Sequence, residues 1–174
     1  MSLGIGFSAE ARPASQSEIM AGFLTLLKSE FSTWDAKSIY FADRPDPQLV
    51  TSINLPLFIQ VTPGGGDFNQ SILAGGPRVE ETSLIGVTIW RRSQVDRAGE
   101  SYESLMNSTE GLLKLKGRVL KALSGKMLTD TDGKHIATGT IKPMQALEPD
   151  TGSTEPPMDR LALYSQVPFD WDLS

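Results

Sequence analysis

The chain has no cysteine and a single histidine, His135, in 174 residues. The first absence excludes disulfides, iron–sulfur clusters and thiolate zinc sites, and fits assembly in a reducing compartment. The second leaves one imidazole for any Ser-His-Asp arrangement. No Gly-x-Ser-x-Gly elbow accompanies it to hold a nucleophile, and a histidine beside a turn reads as polar surface. Excess basic charge is also missing. A formal net charge of -5 and a pI of about 4.9 exclude a global basic footprint for nucleic acid. No stretch approaches the roughly 20 apolar residues of a bilayer span. Met1–Pro13 carries only Arg12 as a base and does not read as a signal peptide. No internal repeat is present.

What remains is an orderly series of secondary-structure signals that fits one domain. Residues 1–14 are small and polar and read as a flexible N-terminal arm, followed by a single α+β domain over 15–174. Ser15 and Glu18 have capping-box spacing. Ile19, Phe23, Leu27 and Phe31 then recur at i, i+4, with Met20, Leu24 and Trp34 beside them, predicting an amphipathic helix over 16–34 that packs on the core. Ser38–Phe41 and Leu55–Val61 read as strands, separated by a break at Ala42-Asp43-Arg44-Pro45-Asp46-Pro47.

Pro63-Gly64-Gly65-Gly66-Asp67 and Gly75-Gly76-Pro77 bracket Phe68–Ala74. No Gly-Lys-Ser/Thr follows the glycines, so a phosphate loop is a poor reading. The expectation is a surface loop, mobile alone and ordered by a partner that meets Phe68, Ile72 and Leu73. Residues 78–92 form the longest strand pattern. Ile85, Val87 and Ile89 point one way, and Leu84, Thr88 and Trp90 the other. Apolar groups on both faces suit a central or interface strand, which makes Leu84 and Trp90 candidate partner contacts. Arg91, Arg92 and Arg97 follow, either as a solvated strand end or as a contact to a carboxylate or phosphate.

A second helix is predicted over 101–124, ended by Gly125. Its Lys114, Arg118 and Lys121 share a face, open to solvent or to an acidic partner. Asp132-Gly133 signals a hairpin turn. As a calcium loop this region fails: with Gly133 at the sixth position, Leu128 and Gly139 stand where carboxylates are needed. A strand is predicted over His135–Lys142 and a linker-like loop over 148–160. Strict alternation closes the chain, with Leu161, Leu163, Val167, Phe169 and Trp171 on one face.

In this order the elements resemble those of tail terminator proteins of long-tailed bacteriophages, also called minor tail or tail-completion proteins. Three stretches carry the likeness. One is the opening helix with Ile39-Tyr40-Phe41-Ala42-Asp43-Arg44-Pro45 and Leu57-Phe58-Ile59-Gln60-Val61. Another is Ile85-Gly86-Val87-Thr88-Ile89-Trp90, leading through Asp96 into Leu112-Leu113-Lys114-Leu115-Lys116. The third is Tyr164-Ser165-Gln166-Val167-Pro168-Phe169-Asp170-Trp171. The segments 63–77 and 148–160 have no counterpart in that family.

The resemblance implies an α+β fold, with a mixed or mainly antiparallel sheet, two main helices packed on it, and long loops. It implies a structural virion protein without catalytic, cofactor or metal sites, located in the tail or neck and assembled in the host cytoplasm. Partners would be further copies in a hexameric ring, the tail tube protein and head–tail connector proteins. DNA would pass through an acidic or neutral channel without specific binding, and no membrane is involved. The candidate partner interface comprises Phe68, Ile72, Leu73, Leu84, Trp90, Arg91 and Arg92. Another neck or tail component, such as a tube subunit or head-closure protein, fits the same features. So, less well, does a small-molecule-binding α+β domain with the glycine segment as a lid. DNA binding has only the two basic clusters in its favour.

Overall fold

A computed structural model describes residues 10–45, 57–92, 111–150 and 158–174. The fold is α+β: one five-stranded mixed sheet with two helices on one face. Helix α1 spans Gln16–Glu30 and helix α2 spans Leu112–Leu123. The strands are β1 (Ile39–Phe41), β2 (Leu57–Leu73), β3 (Gly76–Arg92), β4 (Lys142–Ala146) and β5 (Met158–Asp170), in spatial order β1-β2-β3-β5-β4. Only β1 and β2 run parallel; the other neighbours are antiparallel.

Local chemistry explains the helix ends. Ser15 and Glu18 form the expected capping box: the Ser15 amide donates to Glu18 Oε2 at 2.9 Å and the Glu18 amide to Ser15 Oγ at 3.3 Å. Arg12 extends that cap. Its guanidinium donates to Glu18 Oε1 at 2.6 Å and to Asp130 Oδ2 at 2.8 Å, joining the helix start to the 129–135 turn. The nearby guanidinium holds both carboxyls below their ordinary values, and backbone N–H groups from Ser15 and Lys134 add to the effect. α1 stops four residues short of the predicted end, and Trp34 instead folds back with its ring 4.5 Å from that of Phe31. Gly125 ends α2 as expected, with φ +69° and its amide donating to the Ile141 carbonyl at 3.0 Å. The first half of the predicted second helix, 101–110, lies outside the described residues, as does Arg97.

The main core lies between the helices and one sheet face. Ile19, Phe23 and Leu27 of α1 and Leu112, Leu115 and Val119 of α2 meet Ile59, Val61, Ile85, Val87, Ile89, Leu161, Leu163, Val167 and Phe169. Each strand contributes alternate residues, so the sheet-side residues follow the period of two. β5 matches the sequence expectation closely. Its Pro168 pairs with Thr82 beyond the point where β4 ends opposite Gln166, so the missing N–H falls where no ladder needs it. The strand predicted at His135–Lys142 is not there. Residues 136–141 are irregular with Ile136, Ala137 and Ile141 buried, and the strand begins at Lys142. Asp132-Gly133 does make a turn: Asp130 Oδ1 accepts from the Asp132 and Lys134 amides, both at 2.9 Å, and Gly133 takes φ +80°.

The expected arm 1–14 is partly seated. Its residues 1–9 lie outside the described ones, but Ala14 is buried and bridges to Trp171, and the Arg12 amide donates to the His135 carbonyl at 2.9 Å. No described helix is long and apolar enough to cross a membrane.

Candidate functional site

The glycine-rich segment is not a loop. β2 runs unbroken through it to Leu73, only Ala74 and Gly75 lie between the strands, and β3 starts at Gly76 with φ +110°. A loop reading counts glycines as breakers; here an adjacent 17-residue strand, β3, supplies the pairing that overrides their poor propensity. β5 covers β3 only as far as Glu80, opposite Asp170. The Trp171 amide still reaches the Val79 carbonyl at 2.9 Å, and past Val79 the two strands continue with no third strand among the described residues, roughly 10 Å at about 3.3 Å per residue. This makes a two-stranded β-arm.

The triple glycine marks where the arm leaves the body. The register slips between Pro63, opposite Ile85, and Gly66, opposite Ser83, which inserts one extra residue into β2. Two glycines there are required by close approach. A Cβ on Gly64 would lie 2.3 Å from the Leu84 carbonyl oxygen, and one on Gly66 would lie 2.3 Å from Glu81 Oε1, whereas Gly65 faces open space. The carboxylate of Glu81 passes over Gly66 and accepts from Trp171 Nε1 at 2.7 Å, buried at the root of the arm. A second clamp lies on the opposite side. Arg78 donates from Nε to Asp170 Oδ1 at 2.8 Å and places Nη2 2.7 Å from Oδ2, which raises the guanidinium's pKa. Glu80 and Glu81 thus face opposite sides and do not form a carboxylate pair.

The extra residue also switches parity. Before it, odd-numbered residues of β2 face the helix side; after it, even-numbered ones do, as the pairs Phe68 with Glu81 and Ile72 with Pro77 show. Phe68 and Ile72 therefore carry the helix-side face outward onto the arm, where neither α1 nor α2 covers it. They are 68% and 83% exposed, and Leu73, on the other face of the arm, is 54% exposed. These three candidates are accessible.

The remaining candidates do not join them. Leu84 is half-buried near the bulge. Trp90 is fully buried and belongs to a second small cluster with Phe58 and Met158; its Nε1 donates to Gln60 Oε1 at 2.9 Å, and Gln60 Nε2 donates to the Tyr40 hydroxyl at 2.9 Å. The sequence argument took a large apolar residue on the second sheet face for an outside contact, but the polar Gln60 and Tyr40 beside it close an inside one. Arg91 and Arg92 lie at the far end of the ladder from the arm, opposite Asp159 and Met158 of β5. Two of the α2 cations, Arg118 and Lys121, have an acidic partner within the chain. Arg118 approaches Glu30 Oε1 at 3.3 Å, donates to the Glu30 carbonyl at 2.9 Å and stacks 4.2 Å over Phe31, while Lys121 lies 3.6 Å from Glu30 Oε2.

Polar chemistry elsewhere is sparse. Among the described residues no group of three His, Asp or Glu side chains could hold a metal ion. His135 is half-buried rather than surface, and among the described residues its Nδ1 has no hydrogen-bond partner at the edge of a 190 Å³ cavity shared with Arg78, Thr138 and Asp170. Residues missed by the sequence reading are Glu81, Trp171 and the bulge. The available signal was a triple glycine facing a strand of full length.

No protein-family model matches the chain, and no curated protein matches it. Among solved structures it is similar to a chain of the "Virion of native gene transfer agent (GTA) particle", at 17% identity over 90% of this chain and 98% of that one, with a TM-score of 0.46.

Proposed function

We propose that this chain is a non-catalytic structural subunit of a phage-type virion. Its finer role on this reading is the tail terminator: a ring at the head-proximal end of the tube that stops polymerisation and meets the head connector. The observation that carries the reading is the β-arm. A free-standing monomer gains nothing from displaying Phe68 and Ile72 on an unsheltered two-stranded projection; burying such side chains is worth about 1.5–3 kcal/mol each. An assembly subunit gains a docking element held rigidly by the Glu81–Trp171 and Arg78–Asp170 clamps. The element order of the sequence supports the same role by resemblance.

Imaging of assembled particles tests it. Rings of fixed height, six copies round, at the neck end of the tube are expected. Filaments of unlimited length from the pure protein would make it a tube subunit instead. Intact tails lacking this protein would overturn the reading.

A further inference from the structure

The two edges of the sheet differ. β4 is five residues long, carries Lys142 and Pro143, and has a register slip at Met144. Charge, proline and a bulge each discourage a further strand. At the other edge, β1 covers β2 only over Ile59–Val61, and among the described residues nothing pairs with the outer edge of β2 beyond that, through Leu73. That open edge has a pattern. Phe68, Gln70 and Ile72 lie on the helix side, and Asp67, Asn69 and Ser71 on the other. A strand added there needs apolar side chains at alternate positions and small or polar ones between.

Leu3-Gly4-Ile5-Gly6-Phe7, outside the described residues, has that composition, with glycine at each intervening position. In an antiparallel register with Ile5 opposite Gln70, Leu3 faces Ile72 and Phe7 faces Phe68, while Gly4 and Gly6 face Ser71 and Asn69. The segment's departure point indicates whose arm it meets. Glu10 and Ala11 line a groove with Arg78, Pro77 and Asp170. Arg12 and Ala14 are tied by backbone bonds to His135 and Asp170. That groove also takes in Leu73 and Gly75, so Glu10 stands on the β3–β5 side beside the outer part of the arm, while Phe68, the position opposite Phe7, lies toward the root of the other edge.

We propose that Leu3–Phe7 of one copy adds as a strand to the outer edge of β2 in a second copy. The proposal rests on the reading of this chain as an assembly subunit; a head-to-tail contact of this kind makes a ring when the rotation between copies closes and a filament when it does not.

The absence of cysteine makes disulfide trapping free of background. Full-length Ile5→Cys and Gln70→Cys proteins are mixed, assembled and oxidised. A disulfide-linked heterodimer is the expected main product. It should fall at least tenfold when Phe68→Ser and Ile72→Ser are added to the Gln70→Cys chain. Ile5→Cys with Met144→Cys, on the blunted edge, should give under a tenth of the yield. If the Ile5→Cys/Gln70→Cys double variant closes only within one chain, the second copy is wrong. If neither arrangement links, strand addition is wrong. Six-fold rings without the link overturn this proposal and leave the ring reading standing. The link in an assembly that is not a ring supports the proposal and overturns the ring.

Discussion

The root and the arm of the β2–β3 ladder are one continuous pairing with opposite environments. At the root, Ile59, Val61, Val87 and Ile89 are sealed under two helices, and Phe58 and Trp90 are sealed on the other face. On the arm, every residue from 65 to 75 is exposed. The backbone bonds are of the same kind in both. What differs is the number of neighbouring layers, so hydrogen bonding alone cannot account for the body's stability. Burial supplies that, and the arm is shaped by what remains uncovered.

The sharpest way to break this comparison is to make one change twice. Ile89→Ala should lower unfolding stability by about 2–5 kcal/mol, because the cavity cannot collapse between packed layers. Ile72→Ala, in the same ladder, should stay within about 0.5 kcal/mol. Urea denaturation measures both, and equal losses would mean that the arm is packed after all.

The bulge that separates the two regions gives the next effect. Gly64→Ala drives a methyl against the Leu84 carbonyl, which is backbone and cannot swing away, so a loss of about 1–3 kcal/mol is expected. Gly65→Ala meets open space and should be nearly silent. Thermal melts of the pair distinguish a close-packed bulge from a flexible glycine linker.

Glu81→Leu removes the acceptor for Trp171 Nε1 and should lose about 1 kcal/mol, whereas Glu81→Gln keeps an acceptor and much of the bond. Hydrogen exchange should quicken at Val79–Ser83 in the first variant and little in the second. Unchanged exchange in both would show that Arg78–Asp170 alone fixes the arm.

The smallest effect comes with pH, through the Arg12 cluster of the body. Glu18 and Asp130 titrate below the ordinary 4.5 and 3.8 because Arg12 holds them ionised. Groups with lowered folded values add stability that is full above the ordinary value and lost as pH falls through the folded one. Melting temperature should therefore drop in acid below about pH 4. Arg12→Met should lower it by a few degrees at neutral pH and flatten that acid slope.

Sequence pattern alone was enough for α1 with its capping box, for the alternation of β5 and for β3 as a central strand, and it singled out Phe68, Ile72 and Leu73, which the fold leaves exposed. These depend on neighbours three or four residues away, or on one face of one strand, and such information is local. It failed wherever a distant strand decided the outcome. Only β3 could turn Gly64–Leu73 from a loop into a ladder, and only the bulge could choose which face Phe68 takes. Gln60 and Tyr40 drew Trp90 inward, and Glu30 engaged Arg118 and Lys121. Composition and local pattern fixed which residues could be buried or paired; the fold, by bringing together partners as near in sequence as Leu73 and Gly76 and as far apart as Glu30 and Lys121, decided which of them were.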